Sequence, residues 1–280
     1  MTDLNSIPSG ILLHNFTIPA PGVPKTVIYH FSDVHLTTHD SLSDDAERAK
    51  SMEASASWAS GRLWFAEKYS EPMECVQQLP AETHLTQLLS LAEDGDATVL
   101  AGDIFDYVSP ANLRTLEAAL RSHPTPALWV CGNHEDPTQI PDGLLCSAAK
   151  QPIQILELDG VTLVGIDNSR RCITPEQTSR VKDLLEGDKP LILVMHIPIM
   201  VPGNREILEP CGEYFRLNHS EADEETLAFI ELVKSHPEKI LAVLSGHLHF
   251  RCNCDLVPGI PQYVSSQGIL GNINRYEIGI

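Results

Sequence analysis

The chain has 280 residues, 42% of them hydrophobic, which is enough for one sizeable buried core. Its formal net charge of −19 leaves no surplus of Lys and Arg to follow a phosphate backbone, which argues against a nucleic-acid partner. Residues 1–10 carry no positive charge and no run approaches a membrane span, so neither a secretory signal nor a membrane segment is expected.

In chain order, strands are expected over 11–15 and 26–32, joined by a Pro-rich turn at 19–24. A segment of different character follows, from about 37 to 80. Within it Ala49, Met52, Ala56, Ala59, Leu63 and Ala66 recur at spacings of three and four, an amphipathic helix signature, with Ser43-Asp44-Asp45 at its start. The small-residue stripe predicts close packing against a neighbour. Trp58, Trp64, Phe65 and Tyr69 make this insertion unusually aromatic, able to stack on a base or sugar or simply to pack.

Helices are expected over 81–92, 110–122, 175–186 and 221–235, and a hairpin over 153–167 around Asp159-Gly160. The stretch 198–220, with Pro202, Gly203, Pro210 and Gly212, reads as a long loop. The tail from 262 is expected to finish a second sheet. Seven Cys, an odd number, fit a reducing compartment and hence a cytoplasmic setting. Cys252 and Cys254 lack the second half of a zinc site and read as packed residues alternating on a strand. Alternating strands and helices followed by hairpin-like strands predict an α/β protein, two packed sheets with helices outside, in a single domain over 1–280.

Five of the apolar runs end at their C-terminal edge in residues able to bind a metal. Residues 27–32 lead into Asp33-Val34-His35, 97–101 into Gly102-Asp103, and 127–131 into Gly132-Asn133-His134-Glu135. Residues 191–195 lead into His196, and 241–245 into Gly246-His247-Leu248-His249. Sites in open α/β sheets lie beyond the carboxyl ends of the strands, so these five ends are expected to converge. Seven O/N donors without Cys suit two divalent ions of the Mn, Fe, Zn or Ni type better than one structural zinc.

In order and spacing these motifs resemble the calcineurin-like metallophosphoesterase family, whose pattern is D-x-H, G-D, G-N-H-[DE], H and G-H-x-H. The match runs from Asp33 to His249. The resemblance implies a four-layer α/β/β/α sandwich of two mixed sheets and two divalent metal ions. It places Asp33, His35 and His249 on the first ion, Asp103 as the bridge, and Asn133, His196 and His247 on the second. Its implied chemistry is attack on phosphorus by hydroxide generated from bound water. It gives His134 the task of protonating the leaving alkoxide or stabilising phosphoryl charge, with Asp106 as its carboxylate partner.

The phosphoprotein phosphatase branch carries Arg directly after the residue matching Asp106; here Tyr107 stands there, and the phosphate-clamping Arg is absent. The chain therefore looks closer to small bacterial-type phosphoesterases and phosphodiesterases. Phosphodiesters are the favoured substrates, with a phosphomonoesterase on a small metabolite, a nuclease or a metal-binding scaffold as alternatives. Arg48 and Arg62 on the insertion, and Asn204 and Arg205 after His196, are candidate substrate contacts, since loops on a rigid scaffold usually carry substrate choice.

Overall fold

The computed structural model describes residues 7–68 and 79–279; the side chains of Arg62, Leu63, Phe65 and Ala66, and the whole of Tyr69, lie outside the described part. The strands are β1 (Leu12–Ile18), β2 (Thr26–Phe31), β3 (Ala97–Ala101), β4 (Ala127–Val130), β5 (Ile153–Glu157) and β6 (Thr162–Ile166). They continue with β7 (Leu191–Val194), β8 (Ile240–Ser245), β9 (Cys254–Val257), β10 (Ile260–Val264) and β11 (Asn272–Ile278). The helices are α1 (Asp45–Lys68), α2 (Ala81–Leu91), α3 (Pro110–Ser122), α4 (Pro175–Leu185), α5 (Arg205–Cys211) and α6 (Glu224–Lys234).

The strands form two mixed sheets, one ordered β1-β11-β2-β3-β4 and the other β5-β6-β7-β8-β10-β9. β2, β3 and β4 run parallel, as do β6, β7, β8 and β10, so their carboxyl ends point the same way within each sheet. Strands of this kind are covered on both faces and read as unbroken apolar runs. Ala97–Ala101 and Leu191–Val194 are buried at every residue. One apolar layer, including Ile28, Val99, Val130, Ile192 and Leu244, lies between the sheets. A second joins the first sheet to α2 and α3, and a third joins the second sheet to α4 and α6. The four-layer α/β/β/α arrangement follows from these three layers.

Helix starts obey local chemistry. The Ser109 side chain accepts the Asn112 N–H ahead of Pro110, and Thr174 with Gln177 forms a reciprocal capping box. Asp223 caps α6 through the Thr226 N–H.

Three expectations need correction. The tail does not stay in the second sheet. β10 lies there beside β8, but β11 crosses to the first sheet and inserts between β1 and β2, parallel to one and antiparallel to the other. The crossing is laced to the end of β2, where Gly268 N–H donates to Ser32 O at 2.8 Å and Ile269 N–H to Asp33 O at 3.0 Å. Tyr276 and Ile278 then enter the layer between the sheets.

The described members of the stripe on α1 do not pack as expected. Ala49, Ala56 and Ala59 are exposed, and Met52 is 65% exposed. The helix instead docks through its polar side, where Ser51 and Ser55 donate to the Thr37 carbonyl and Trp58 reaches Asp106. Finally, the stretch 198–220 contains α5 despite Pro210 within it, flanked by 3-10 turns at Pro202–Asn204 and Glu213–Phe215.

Candidate metal centre

All five motif ends meet at one edge shared by the two sheets. Asp33, His35, Asp103, His247 and His249 adopt left-handed backbone, with φ between 48° and 74°. Asp and His tolerate that region better than most residues, and each such turn swings a side chain off the strand direction. Two glycines are required by close approach. A Cβ on Gly102, whose φ is 88°, would stand 2.4 Å from His196 Nδ1, and one on Gly132 would stand 2.1 Å from Asp103 Oδ1. Both motifs therefore start with the one residue that lets neighbouring loops touch.

Three overlapping groups of donors result: Asp33, His35 and His249; His35, Asp103 and His134; and Asp103, His196 and His247. In the first, His35 Nε2 and His249 Nε2 lie 3.1 Å apart, and Asp33 Oδ1 is 3.4 Å from the latter. Those spacings are close to the ~3.4 Å that ligands ~2.1 Å from a tetrahedral ion leave between them. Asp103 Oδ2 is 4.0 Å from His35 Nε2 and 3.2 Å from His196 Nε2, so a single carboxylate oxygen faces both groups. The other oxygen accepts the His134 N–H at 2.9 Å. Asn133 Oδ1 lies 3.2 Å from His196 Nε2 and so joins the second group. The donors are oxygen and nitrogen only, and they fit two divalent ions.

Partners behind the donors set their orientation. His196 Nδ1 donates to the Ala101 carbonyl at 2.7 Å, which turns Nε2 inward. His247 Nε2 donates to the Tyr214 carbonyl at 3.2 Å, which leaves Nδ1 as its candidate ligand atom. Asp33 accepts the Ser32 hydroxyl and the His247 N–H. Glu135 is buried and accepts three backbone N–H groups, from Gly132, Asp103 and Phe105, at 2.6–2.8 Å. It clamps the loop of Asp103 to the loop of Asn133.

Without ions, protons take up part of the excess negative charge. Burial opposes charging His196, but the Asp103 carboxylate outweighs it and raises the imidazole to about 10. Burial, then the charge on His196, push His247 down to about 3. Burial opposes ionisation of Asp103, yet the surrounding imidazoles hold it well below the usual carboxylate range. For His134, burial is again outweighed, here by its bond to Asp106 and the charge of Asp103, and the imidazole rises to about 9.

His134 sits at the mouth with its side chain 36% exposed, whereas the side chains of Asp33 and His35 are fully buried. Its Nδ1 faces Asp106, 3.0 Å from the carbonyl and 3.2 Å from Oδ1. The anticipated substrate contacts are placed differently. Arg48 spends its guanidinium on the carbonyls of Ser43 and Asp40. Asn204 is buried and ties Val201 N–H to Ile199 O. Arg205 is exposed at the start of α5, and the Arg62 side chain is outside the described residues.

Other residues border the site instead. Trp58 lies over His35 at 4.2 Å between ring centroids. Tyr214 lies 5.3 Å from the His247 ring, and its own ring carries the Arg171 guanidinium at 5.7 Å. A cavity of about 160 Å³ joins Asn133 to Arg170. The fourth motif letter already marked Glu135, and the aromatic insertion marked Trp58 as a residue that stacks or packs. A backbone acceptor such as the Tyr214 carbonyl has no sequence signal.

The profile of the calcineurin-like phosphoesterase family matches residues 26–251. No curated protein matches the chain. Among solved structures, a dimetal phosphatase from Danio rerio superposes with a TM-score of 0.57 at 12% identity, covering 87% of this chain and 88% of that one. A purple acid phosphatase, PPD1, from seeds of yellow lupin (Lupinus luteus) gives 0.49 at 13% identity, covering 90% of this chain and 45% of that one.

Proposed function

The chain belongs to the calcineurin-like phosphoesterase family, a metal-dependent phosphate-ester hydrolase, and we propose that it acts by preference on phosphodiesters through a two-metal centre. The observation that carries this reading is the placement of Asp103 Oδ2 between the two donor groups. Asp33, His35 and His249 would hold one ion, Asn133, His196 and His247 the other, and Asp103 both. Bound there, the ions supply Lewis acidity toward the phosphoryl oxygens and acidify water. Their identity falls among Mn, Fe, Zn and Ni, since imidazole and carboxylate ligands accept any of these.

The protein's own part is to place the ester and to move a proton. Water adds to phosphorus and releases one proton to solvent, the bond from phosphorus to the leaving oxygen breaks, and that oxygen takes a proton from His134, which solvent then restores. Asp106 holds Nδ1, so Nε2 is the donating nitrogen. A diester carries one negative charge where a monoester dianion carries two. Tyr107 in place of a clamping Arg therefore favours the diester. Among the described residues, free thiols at Cys131, Cys146, Cys172, Cys252 and Cys254 support a reducing, cytoplasmic setting. Among the described residues no helix is long and apolar enough to cross a membrane.

The test is hydrolysis of bis(p-nitrophenyl) phosphate beside p-nitrophenyl phosphate, with added Mn²⁺ and Asp103→Asn as control. Metal-dependent diester cleavage lost in the control is expected. Preference for the monoester would move the substrate to small phosphorylated metabolites. Turnover of neither, with metal bound, would overturn the enzymatic reading in favour of a metal-binding scaffold.

A further inference from the structure

Among the described residues of the helical insertion, Trp58 reaches the reacting edge. Trp58, from the polar side of α1, donates its indole N–H to Asp106 Oδ1 at 3.0 Å. The same oxygen lies 3.2 Å from His134 Nδ1 and 3.4 Å from His35 Nδ1. One carboxylate oxygen thus gathers three nitrogen neighbours, from the insertion, from the proposed proton donor and from a proposed metal ligand. Trp58 also covers the first donor group, 4.2 Å from the His35 ring and 5.4 Å from the His249 ring, in the latter case nearly stacked at 26°. His35 and His134 meet edge to face at 4.7 Å beneath this arrangement.

Two physical consequences follow. A carboxylate rotates easily about its last bond, and an indole N–H on a ring already packed against two imidazoles fixes that rotation at small entropic cost. The ring also covers the first donor group on its side.

We infer that Trp58 is a positioning residue of the reaction: its N–H holds Asp106 so that His134 Nε2 points at the leaving oxygen. This rests on the proposed role of His134 as proton donor. It also gives the insertion a mechanical function that none of the metal motifs contains. The indole N–H does not touch the ester; it acts through Asp106.

The experiment compares diesters that share one phosphoryl group but lose either p-nitrophenolate or an alkoxide such as ethoxide. p-Nitrophenolate departs without help, whereas an alkoxide needs the proton. Trp58→Phe keeps the ring and removes the donor. It is expected to retain two bound metal equivalents by elemental analysis and an unchanged KM. Its kcat should fall about 10- to 100-fold on the alkyl ester, the usual scale for losing an orienting partner, and less than about threefold on the aryl ester. Trp58→His, which restores a ring N–H, is expected to recover part of the loss.

His134→Ala separates the two levels of the inference. If it discriminates between the esters and Trp58→Phe does not, Trp58 is a packing residue and this inference is overturned. If His134→Ala does not discriminate, the proton-donor reading fails and the inference fails with it. Loss of metal from Trp58→Phe, with equal loss on both esters, would also overturn it, because that is the signature of a structural wall.

Discussion

The backbone N–H of His134 donates to Asp103 Oδ1 at 2.9 Å, so the residue proposed to give the proton also fixes the rotamer of the residue proposed to bridge the ions. Oδ2 is left to face His35 and His196 together. The motif order places these groups side by side, since β3 and β4 are adjacent parallel strands whose ends carry Asp103 and Asn133-His134.

Asp103→Asn keeps the shape of this contact and removes the charge. Bound metal is expected to fall from two equivalents to one or none, with hydrolysis lowered about a thousandfold, the several kcal/mol attributed to such ions. Elemental analysis beside a diester assay checks it. Two retained equivalents with normal turnover would remove Asp103 from the bridge.

Metal uptake should release a proton from His196. In the metal-free protein its pKa is raised to about 10, so the proton is bound at neutral pH and must leave before Nε2 can ligate. Affinity is therefore expected to rise with pH up to about 10, by as much as roughly tenfold per unit per proton released. Calorimetry in buffers of different ionisation enthalpy counts the protons, and a count of zero would contradict the expectation.

Asp106→Asn should lower the His134 pKa of the metal-free protein. It is raised to about 9 against the pull of burial, chiefly by the bond to Asp106 and the charge of Asp103. The wild-type imidazole is expected to stay protonated up to about pH 9 and to lose its proton, and the associated stabilisation, as pH rises through that value. In the variant this transition moves toward neutral pH. Imidazole NMR titration reads both, and an unchanged midpoint would show that Asp106 is not its partner.

Glu135→Ala removes the acceptor of three N–H groups, those of Gly132, Asp103 and Phe105. Each buried donor left unmatched costs about 1–3 kcal/mol, so a stability loss of about 3 kcal/mol or more is expected by denaturant unfolding. Glu135→Gln keeps one acceptor oxygen and should lose less. Equal losses in both variants would point to charge rather than hydrogen bonding.

Much of the site was legible because each donor follows a buried strand directly, and a strand's end is encoded locally by an apolar run meeting a Gly, Asp or His. What a polar side chain does in a loop is not encoded locally. Arg48 and Asn204 have the chemistry to bind a substrate, yet both are consumed by backbone groups of their own turns. The described part of the stripe on α1, from Ala49 to Ala59, lies on the wrong face, because serine hydroxyls and one indole found acceptors on the body. The sheet that β11 joins was equally hidden, since its alternating pattern is compatible with either.

Arg170 offers a cation in the lining of the small cavity beside Asn133. Arg170→Ala is expected to raise KM up to about tenfold, the scale of one exposed charge-assisted hydrogen bond, with kcat little changed. Steady-state kinetics on the preferred ester decides it, and an unaltered KM would place the substrate elsewhere.

The insertion of β11 between β1 and β2 has a consequence for assembly on the ribosome. His30 of β2 and Tyr276 of β11 touch although they are 246 positions apart in sequence. The strand that leads into Asp33 thus waits for residues 246 positions further along the chain before its second neighbour arrives. Contacts so distant along the chain are slow to form. During synthesis β2 has an open edge, and the Asp33 side of the centre is completed only once β11 has been made.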